Sequence, residues 1–163
     1  MKNYFATLED AQQWLEKNRM DGVKCPCCNQ FVKVYKRKFH GSMGRVLMLM
    51  CRAHWTGKTD DDGYTHVENL LVALGNNTKG VQGKMKYWGL VESKPPATTD
   101  KKTSGLWRPT HKGFLFAQNR VRVPKHVYVY NDSVLGFGNE LVYIREVLPE
   151  KFNYQELMDE RHV

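Results

Sequence analysis

Long apolar runs are missing from this chain of 163 residues. The longest, Val46 to Cys51, has six residues, whereas a membrane-spanning helix needs about 18 or more. Residues 1–18 alternate charged and apolar side chains and contain no continuous apolar segment of the kind found in a secretory signal. We therefore expect a cytoplasmic protein with neither a membrane span nor an export signal.

Serine is also scarce. The four serines, at positions 42, 93, 104 and 133, do not stand in a nucleophile elbow or beside a histidine. No glycine-rich loop has the spacing that cradles phosphates in nucleotide-dependent enzymes. With 41% hydrophobic and 26% charged residues, the composition is that of a globular protein. These features predict a binding protein rather than an enzyme.

Acidic residues are too few to balance the basic ones, 17 against 25, so the formal net charge is +8. The excess is uneven: residues 64–123 carry 10 basic and 3 acidic side chains, whereas residues 124–163 carry 4 and 7. A basic segment of this kind attracts polyanions. We therefore expect double-stranded DNA as a partner of the middle segment and a protein as a partner of the acidic C-terminal region.

The four cysteines occur with the spacing of metal ligands. Two residues separate Cys25 from Cys28, two separate Cys51 from His54, and 22 lie between the pairs. Two such knuckles at the ends of a β-hairpin predict a structural zinc site with Cys25, Cys28, Cys51 and His54 as ligands. Cys27 is then a free thiol, although it could replace the adjacent Cys28. The hairpin would consist of a strand at 31–40, a turn at 41–44 and a return strand at 45–51.

Caps and apolar spacing mark three helices. Thr7 with Asp10 begins a predicted helix over 8–18. A capping box at Thr65 begins the second helix, which ends at Gly75, and a short turn leads to the third, over 79–88. In the third helix the apolar side chains share the inward face, and they are Val81, Met85 and Trp88.

Residues 90–108 follow as a short strand, a basic loop and a return strand, and Thr110 then opens another helix. The segments GNNTKGVQGKMKYWGLVES and GLWRPTHKGFLFA make residues 64–120 resemble a winged helix-turn-helix domain. The resemblance implies that the second helix of this domain lies in the major groove and that the loop, or wing, touches the flanking backbone. The implied DNA contacts are Lys79, Gln82, Lys84 and Lys86 on the helix and Lys94, Lys101, Lys102 and Arg108 at the wing.

The C-terminal residues are predicted to form a hairpin, with strands at 127–130 and 134–137, followed by helices. Together the segments predict an α+β fold. Its units are an N-terminal helix with a zinc ribbon (residues 1–63), the winged helix (64–123) and the C-terminal hairpin with acidic helices (124–163). The main functional prediction is a DNA-binding regulator of transcription or replication.

Two other functions stay open. The overall make-up resembles small uncharacterised phage-encoded proteins, which implies an interaction protein, monomeric or dimeric, that docks on and inhibits a host nucleic-acid or defence complex. The third function is a metal-dependent nuclease. Its basis is a resemblance to the ββα-metal nucleases, and the residues that carry it are Cys25, Cys28, Cys51, His66 and Asn69.

Overall fold

The computed structural model describes residues 5–72, 80–100, 104–149 and 154–155, and within them the fold is α+β. The helices are α1 (Leu8–Asn18), α2 (Gly41–Trp55), α3 (Val67–Leu71), α4 (Val81–Met85), α5 (His111–Ala117) and α6 (Ile144–Val147), and a 3-10 turn (Lys86–Trp88) follows α4. The strands are β1 (Val23–Lys24), β2 (Phe31–Val32), β3 (Tyr35–Lys38), β4 (Thr65–His66), β5 (Val91–Ser93), β6 (Leu106–Pro109), β7 (Val123–Pro124), β8 (His126–Tyr130), β9 (Ser133–Phe137) and β10 (Leu141–Val142). No described helix is long and apolar enough to cross a membrane.

Helix α1 has the predicted bounds. The hydroxyl of Thr7 accepts a hydrogen bond from the backbone N–H of Asp10 at 3.1 Å and so caps the first turn. At the other end the N–H of Arg19 donates to the carbonyl of Leu15. Only Ala11 is buried within this helix.

Residues 41–55 form a helix, so the prediction of a turn and a return strand there is wrong. A six-residue apolar run can be either a buried strand or part of a buried helix, and its periodicity does not separate the two. Composition separates the two, because leucine and methionine favour helices and Val46 is the only β-branched residue in this segment. The hairpin over residues 31–51, on which the predicted zinc ribbon depends, therefore does not form.

Helix α2 lies at the centre of the molecule. It packs against α3, α4, α5, α6 and β6, and eight of its fifteen residues are buried. Its glycines allow a close approach: a Cβ on Gly44 would lie 3.1 Å from the side chain of Leu148, just after α6. All three predicted units thus contribute side chains to one apolar core, which includes Phe39, Leu47, Trp88, Phe116, Val127 and Ile144.

A three-stranded antiparallel sheet with the strand order β4–β6–β5 follows α2 along the chain. Strand β4 pairs Thr65 with Trp107, so Thr65 belongs to the sheet and the capping box predicted there does not form. Helix α3 begins at Val67 instead, and α4 begins after Gly80, whose φ of 78° places it outside the helix. The inward face predicted for the helix at 79–88 is confirmed, because Val81 and Met85 on α4 and Trp88 in the 3-10 turn are buried.

A second three-stranded sheet has the order β3–β8–β9. The predicted C-terminal hairpin is confirmed, with Asn131 and Asp132 at φ values of 48° and 60° in a tight turn. Strand β3 pairs with β8, which occupies the place that the prediction gave to residues 45–51. Leu141, which was expected in the helix after the hairpin, lies in β10, which pairs with β7, and the helix begins at Ile144 as α6. Of the final helix expected from residue 153, the structure describes Tyr154 and Gln155, and both are helical.

Candidate metal knuckle and nucleic-acid surfaces

The cysteine knuckle, residues 25–28, is the tight turn between β1 and β2. The N–H of Cys25 donates to the carbonyl of Gln30 at 2.7 Å, and the N–H of Asn29 donates to the carbonyl of Cys25 at 2.9 Å. Asn29 takes a φ of 63°, which asparagine tolerates better than most residues. This turn holds Cys25 half-buried and leaves the side chains of Cys27 and Cys28 exposed.

The knuckle stabilises a thiolate at its first cysteine. Hydrogen bonds from the backbone N–H groups of Cys28 and Cys27 lower the pKa of Cys25, and the Cys28 thiol adds a further bond. Because the thiolate is the form that binds metals, this arrangement suits Cys25 to ligation. The knuckle therefore provides the chemistry of one half of a tetrahedral thiolate site.

The other two predicted ligands lie on α2. Cys51 is fully buried in the apolar core, and burial raises the pKa of its thiol, so that it stays protonated. His54 is exposed and lies against Phe114, with 4.9 Å between the ring centres. Among the described residues, no three or more histidine, cysteine or acidic side chains are arranged to hold a metal ion. The structure thus does not bring the four predicted ligands together.

The face of α4 opposite its buried side chains carries part of the predicted DNA contacts. Lys84 is exposed, and none of the ion pairs among the described residues includes it. Gly83 has open space where a side chain would be. Gln82 is half-buried and turns its Oε1 atom out of contact with solvent. Lys79 lies outside the described residues.

Lys86, at the end of the same segment, is engaged within the protein. Its Nζ atom lies 3.1 Å from the carboxylate of Asp132 in the β8–β9 turn. The hydroxyl of Tyr87 donates a hydrogen bond of 2.6 Å to the same carboxylate. These two contacts lower the pKa of Asp132, and the carboxylate in turn raises the pKa of Tyr87. The hairpin turn therefore lies against the C-terminal end of the α4 segment.

The two described basic residues at the base of the β5–β6 loop are also paired. Lys94 contacts the carboxylates of Asp60 and Asp62 at 3.0 and 3.2 Å. The Nε atom of Arg108 lies 2.5 Å from the carboxylate of Glu92, and its guanidinium stacks over Tyr64. The acidic turn at Asp60–Gly63 thus neutralises Lys94, and Glu92 on β5 neutralises Arg108. Lys101 and Lys102 lie outside the described residues.

A second basic surface was missed in the sequence analysis. It is the outer face of β8 and β3, here called the β8 face, and its residues are His126, Tyr128, Tyr130, Lys36 and Lys38. The sequence HVYVY does contain the signal for this face, because apolar and other residues alternate along it. Its two valines are buried, and His126, Tyr128 and Tyr130 are only partly covered. Lys36 and Lys38 belonged instead to the predicted strand 31–40 of the zinc ribbon.

The residues considered for a nuclease are dispersed. His66 ends β4 and lies against Gly105, and Asn69 is exposed on α3. His54 instead lines a cavity of about 270 Å³ with Asp62, Arg108 and His111. The chain as a whole matches no known protein family, no curated protein and no solved structure.

Proposed function

We propose that this protein binds duplex DNA as a winged helix whose first helix is α2. The single observation that carries the proposal is the order of elements around the β4–β6–β5 sheet. Helix α2 comes before β4, and helices α3 and α4 come between β4 and β5. Helix, strand, two helices, strand, loop and strand follow in the order of a winged helix, and the β5–β6 loop stands where the wing would be. In such domains the second helix of the pair enters the major groove.

The charges on α4 support this orientation. Its apolar residues face the core, so its polar residues face outward, and Lys84 is an exposed cation with no ion-pair partner among the described residues. Gly83, beside it, leaves room for a phosphate to approach the backbone. We propose Lys84 as the principal described contact to the DNA backbone.

The loop base has a different role in this proposal. Lys94 and Arg108 are held by Asp60, Asp62 and Glu92, and a cation that is already paired gains less from a phosphate. These pairs orient the β5–β6 loop on the sheet. Of the four wing contacts predicted from the sequence, the proposal then retains Lys101 and Lys102 for DNA binding.

The proposal is tested by fluorescence anisotropy with a labelled duplex of about two helical turns over a range of salt concentrations. We expect Lys84→Ala to weaken binding several-fold and to reduce the slope of log affinity against log salt by about 0.9, the effect of one lost phosphate contact. Lys17→Ala, which removes an exposed cation from α1, is the matched control. Absence of duplex binding at low salt, or equal losses in both variants, would refute the proposal.

We also propose that the cysteine knuckle binds zinc through Cys25 and Cys28. The proposal is supported by the two-residue spacing, the left-handed Asn29 and the lowered pKa of Cys25. A zinc ion bound here would have a structural role, because it would fix the turn between β1 and β2. Cys25 and Cys28 supply two of the four ligands of a tetrahedral site. Metal analysis of the purified protein, with the variants described in the Discussion, tests this assignment.

We also propose self-association into a dimer through the C-terminal hairpin, and one observation favours it. The edge strand β9 exposes Val134, Leu135 and Phe137 and pairs only with β8 among the described strands. An unpaired apolar edge is a template for strand addition by another chain, here a second copy of this protein. Light scattering distinguishes a monomer from a dimer. A dimer that Leu135→Lys converts to a monomer supports the contact through β9, and a protein that is monomeric at all concentrations excludes it.

A further inference from the structure

The outer side of the β3–β8–β9 sheet combines aromatic rings with cations. Tyr128 and Tyr130 alternate with buried valines along β8, so both rings project on the side away from the core. Lys36 pairs directly with Tyr128 across the strands, and its ammonium lies 6.0 Å from the centre of that ring. The guanidinium of Arg19 lies 4.6 Å from the centre of the Tyr130 ring.

The cations of this surface are less neutralised than those of the β5–β6 loop base. Lys36 and Lys38 are exposed, and none of the ion pairs among the described residues includes either of them. Two described carboxylates lie near Lys38, and both have partners: Lys125 holds Glu140 at 3.2 Å, and Glu146 accepts a hydrogen bond from the backbone N–H of Tyr143. The excess charge on the β8 face is therefore positive.

The charges of this face act on His126. Its pKa is lowered, first by partial burial and then by the charges of Lys36, Lys125 and Lys38, with Glu140 opposing them. Across from Tyr128 on β9 stands Gly136, and open space surrounds the position that its side chain would take. A planar group can thus reach the Tyr128 ring from the β9 side without meeting a side chain at Gly136.

We propose that the β8 face binds single-stranded nucleic acid, with a base stacked on Tyr128 and phosphates held by Lys36, Lys38 and Arg19. Aromatic rings interleaved with cations on an open sheet are the combination that such ligands require. The site is separate from α4, which the proposed duplex binding uses, so either proposal can fail without the other.

The geometry favours a single strand over a duplex. The side chains of Tyr128 and Tyr130 are spaced by about 7 Å along the strand, since one strand residue advances about 3.4 Å. Stacked bases in a duplex are about 3.4 Å apart and bury their faces against each other. A base can stack on Tyr128 only after it has been separated from its neighbours, as it can be in a single strand.

The test measures anisotropy with labelled oligo(dT) and oligo(U) of about ten nucleotides, within the site sizes of single-strand-binding folds. We expect Tyr128→Ala to weaken binding about ten-fold and Tyr128→Phe, which keeps the ring, to leave it nearly unchanged. Lys36→Gln should weaken binding and reduce the salt slope by about 0.7. The two oligonucleotides distinguish DNA from RNA as the better ligand.

Lys84→Ala is the matched control, because it removes an exposed lysine that the proposed single-strand site does not use. It should leave oligo(dT) and oligo(U) binding unchanged, and Lys36→Gln should leave duplex binding unchanged. The proposal is overturned if neither oligonucleotide binds at low salt, if Tyr128→Phe is as weak as Tyr128→Ala, or if both lysine variants weaken both ligands equally. Thermal melting of each variant confirms that the fold is retained.

Discussion

The ammonium of Lys86 lies 3.1 Å from the carboxylate of Asp132, 46 residues further along the chain. This contact joins the end of the α4 segment to the turn of the β8–β9 hairpin, and the hydroxyl of Tyr87 strengthens it at 2.6 Å. Both partners are exposed, so the pair contributes little to folding. If duplex DNA binds at α4 as proposed, this pair offsets the charge of Lys86 just after that helix.

Removing the charge of Asp132 should therefore strengthen duplex binding. We expect Asp132→Asn to raise the affinity several-fold and to steepen the salt slope by about 0.9, because Lys86 becomes free to contact a phosphate. Asparagine tolerates the left-handed backbone at this position, so the turn is preserved. Anisotropy with the labelled duplex measures the change.

Glu140→Gln is the matched control for this variant. It also removes an exposed carboxylate that is paired with a lysine, Lys125, but away from α4. If both variants raise duplex affinity equally, net charge explains the effect and the Lys86 contact does not.

Two glycines should respond in opposite ways to substitution by alanine. A Cβ on Gly113 would overlap the backbone carbonyl of Leu90, whereas a Cβ on Gly83 would meet nothing within 4 Å. We expect Gly113→Ala to destabilise the protein by about 1–3 kcal/mol or more and Gly83→Ala to stabilise it by about 1 kcal/mol. Urea denaturation measures both changes, and a stable Gly113→Ala variant would contradict the packing of α5 against Leu90.

The zinc content of cysteine variants should distinguish the cysteines that bind zinc from the one that does not. We expect Cys25→Ser and Cys28→Ser to lose bound zinc, as measured by elemental analysis of the purified protein. Cys51→Ala should keep its zinc and lose about 1 kcal/mol of stability, because it leaves a small cavity in the core. Loss of zinc in Cys51→Ala, with the fold intact by circular dichroism, would restore Cys51 as a ligand.

The stability of the protein should fall in mild acid through His126. Its folded pKa is below the ordinary value of 6.5, so the unfolded chain binds more protons once the pH falls below 6.5. The free energy of unfolding therefore decreases as the pH falls from 6.5 through the folded pKa. An NMR titration of the His126 ring gives that pKa directly.

Lys36→Gln should raise the pKa of His126 towards its ordinary value, because one of the positive charges that lower it is removed. Lys24→Gln, an exposed lysine on β1, should leave it unchanged. The acid dependence of stability should weaken in the first variant and persist in the second. A pKa of His126 that does not respond to Lys36 would contradict the positive field on the β8 face.

Local signals were sufficient for part of the fold. The cap at Thr7, the inward face of α4 and the β8–β9 hairpin were predicted correctly, because each depends on residues close together in the chain. Residues 41–55, which form helix α2, were predicted wrongly as a turn and a strand, because the spacing of Cys25, Cys28, Cys51 and His54 suggested a zinc hairpin there. The burial of α2 on several sides removed the periodicity by which an amphipathic helix is recognised.

Spacing and composition alone determined the knuckle at Cys25 and Cys28, the excess of positive charge and most of the short helices and strands. The tertiary structure decided which basic side chains are left without an acidic partner among the described residues. Asp132, Asp60 and Glu92 lie far along the chain from the lysines or arginine that they neutralise, so no local pattern could reveal those pairs. It also decided the partner of β3, because strand pairing depends on which apolar faces meet in the common core, and that is a property of the whole chain.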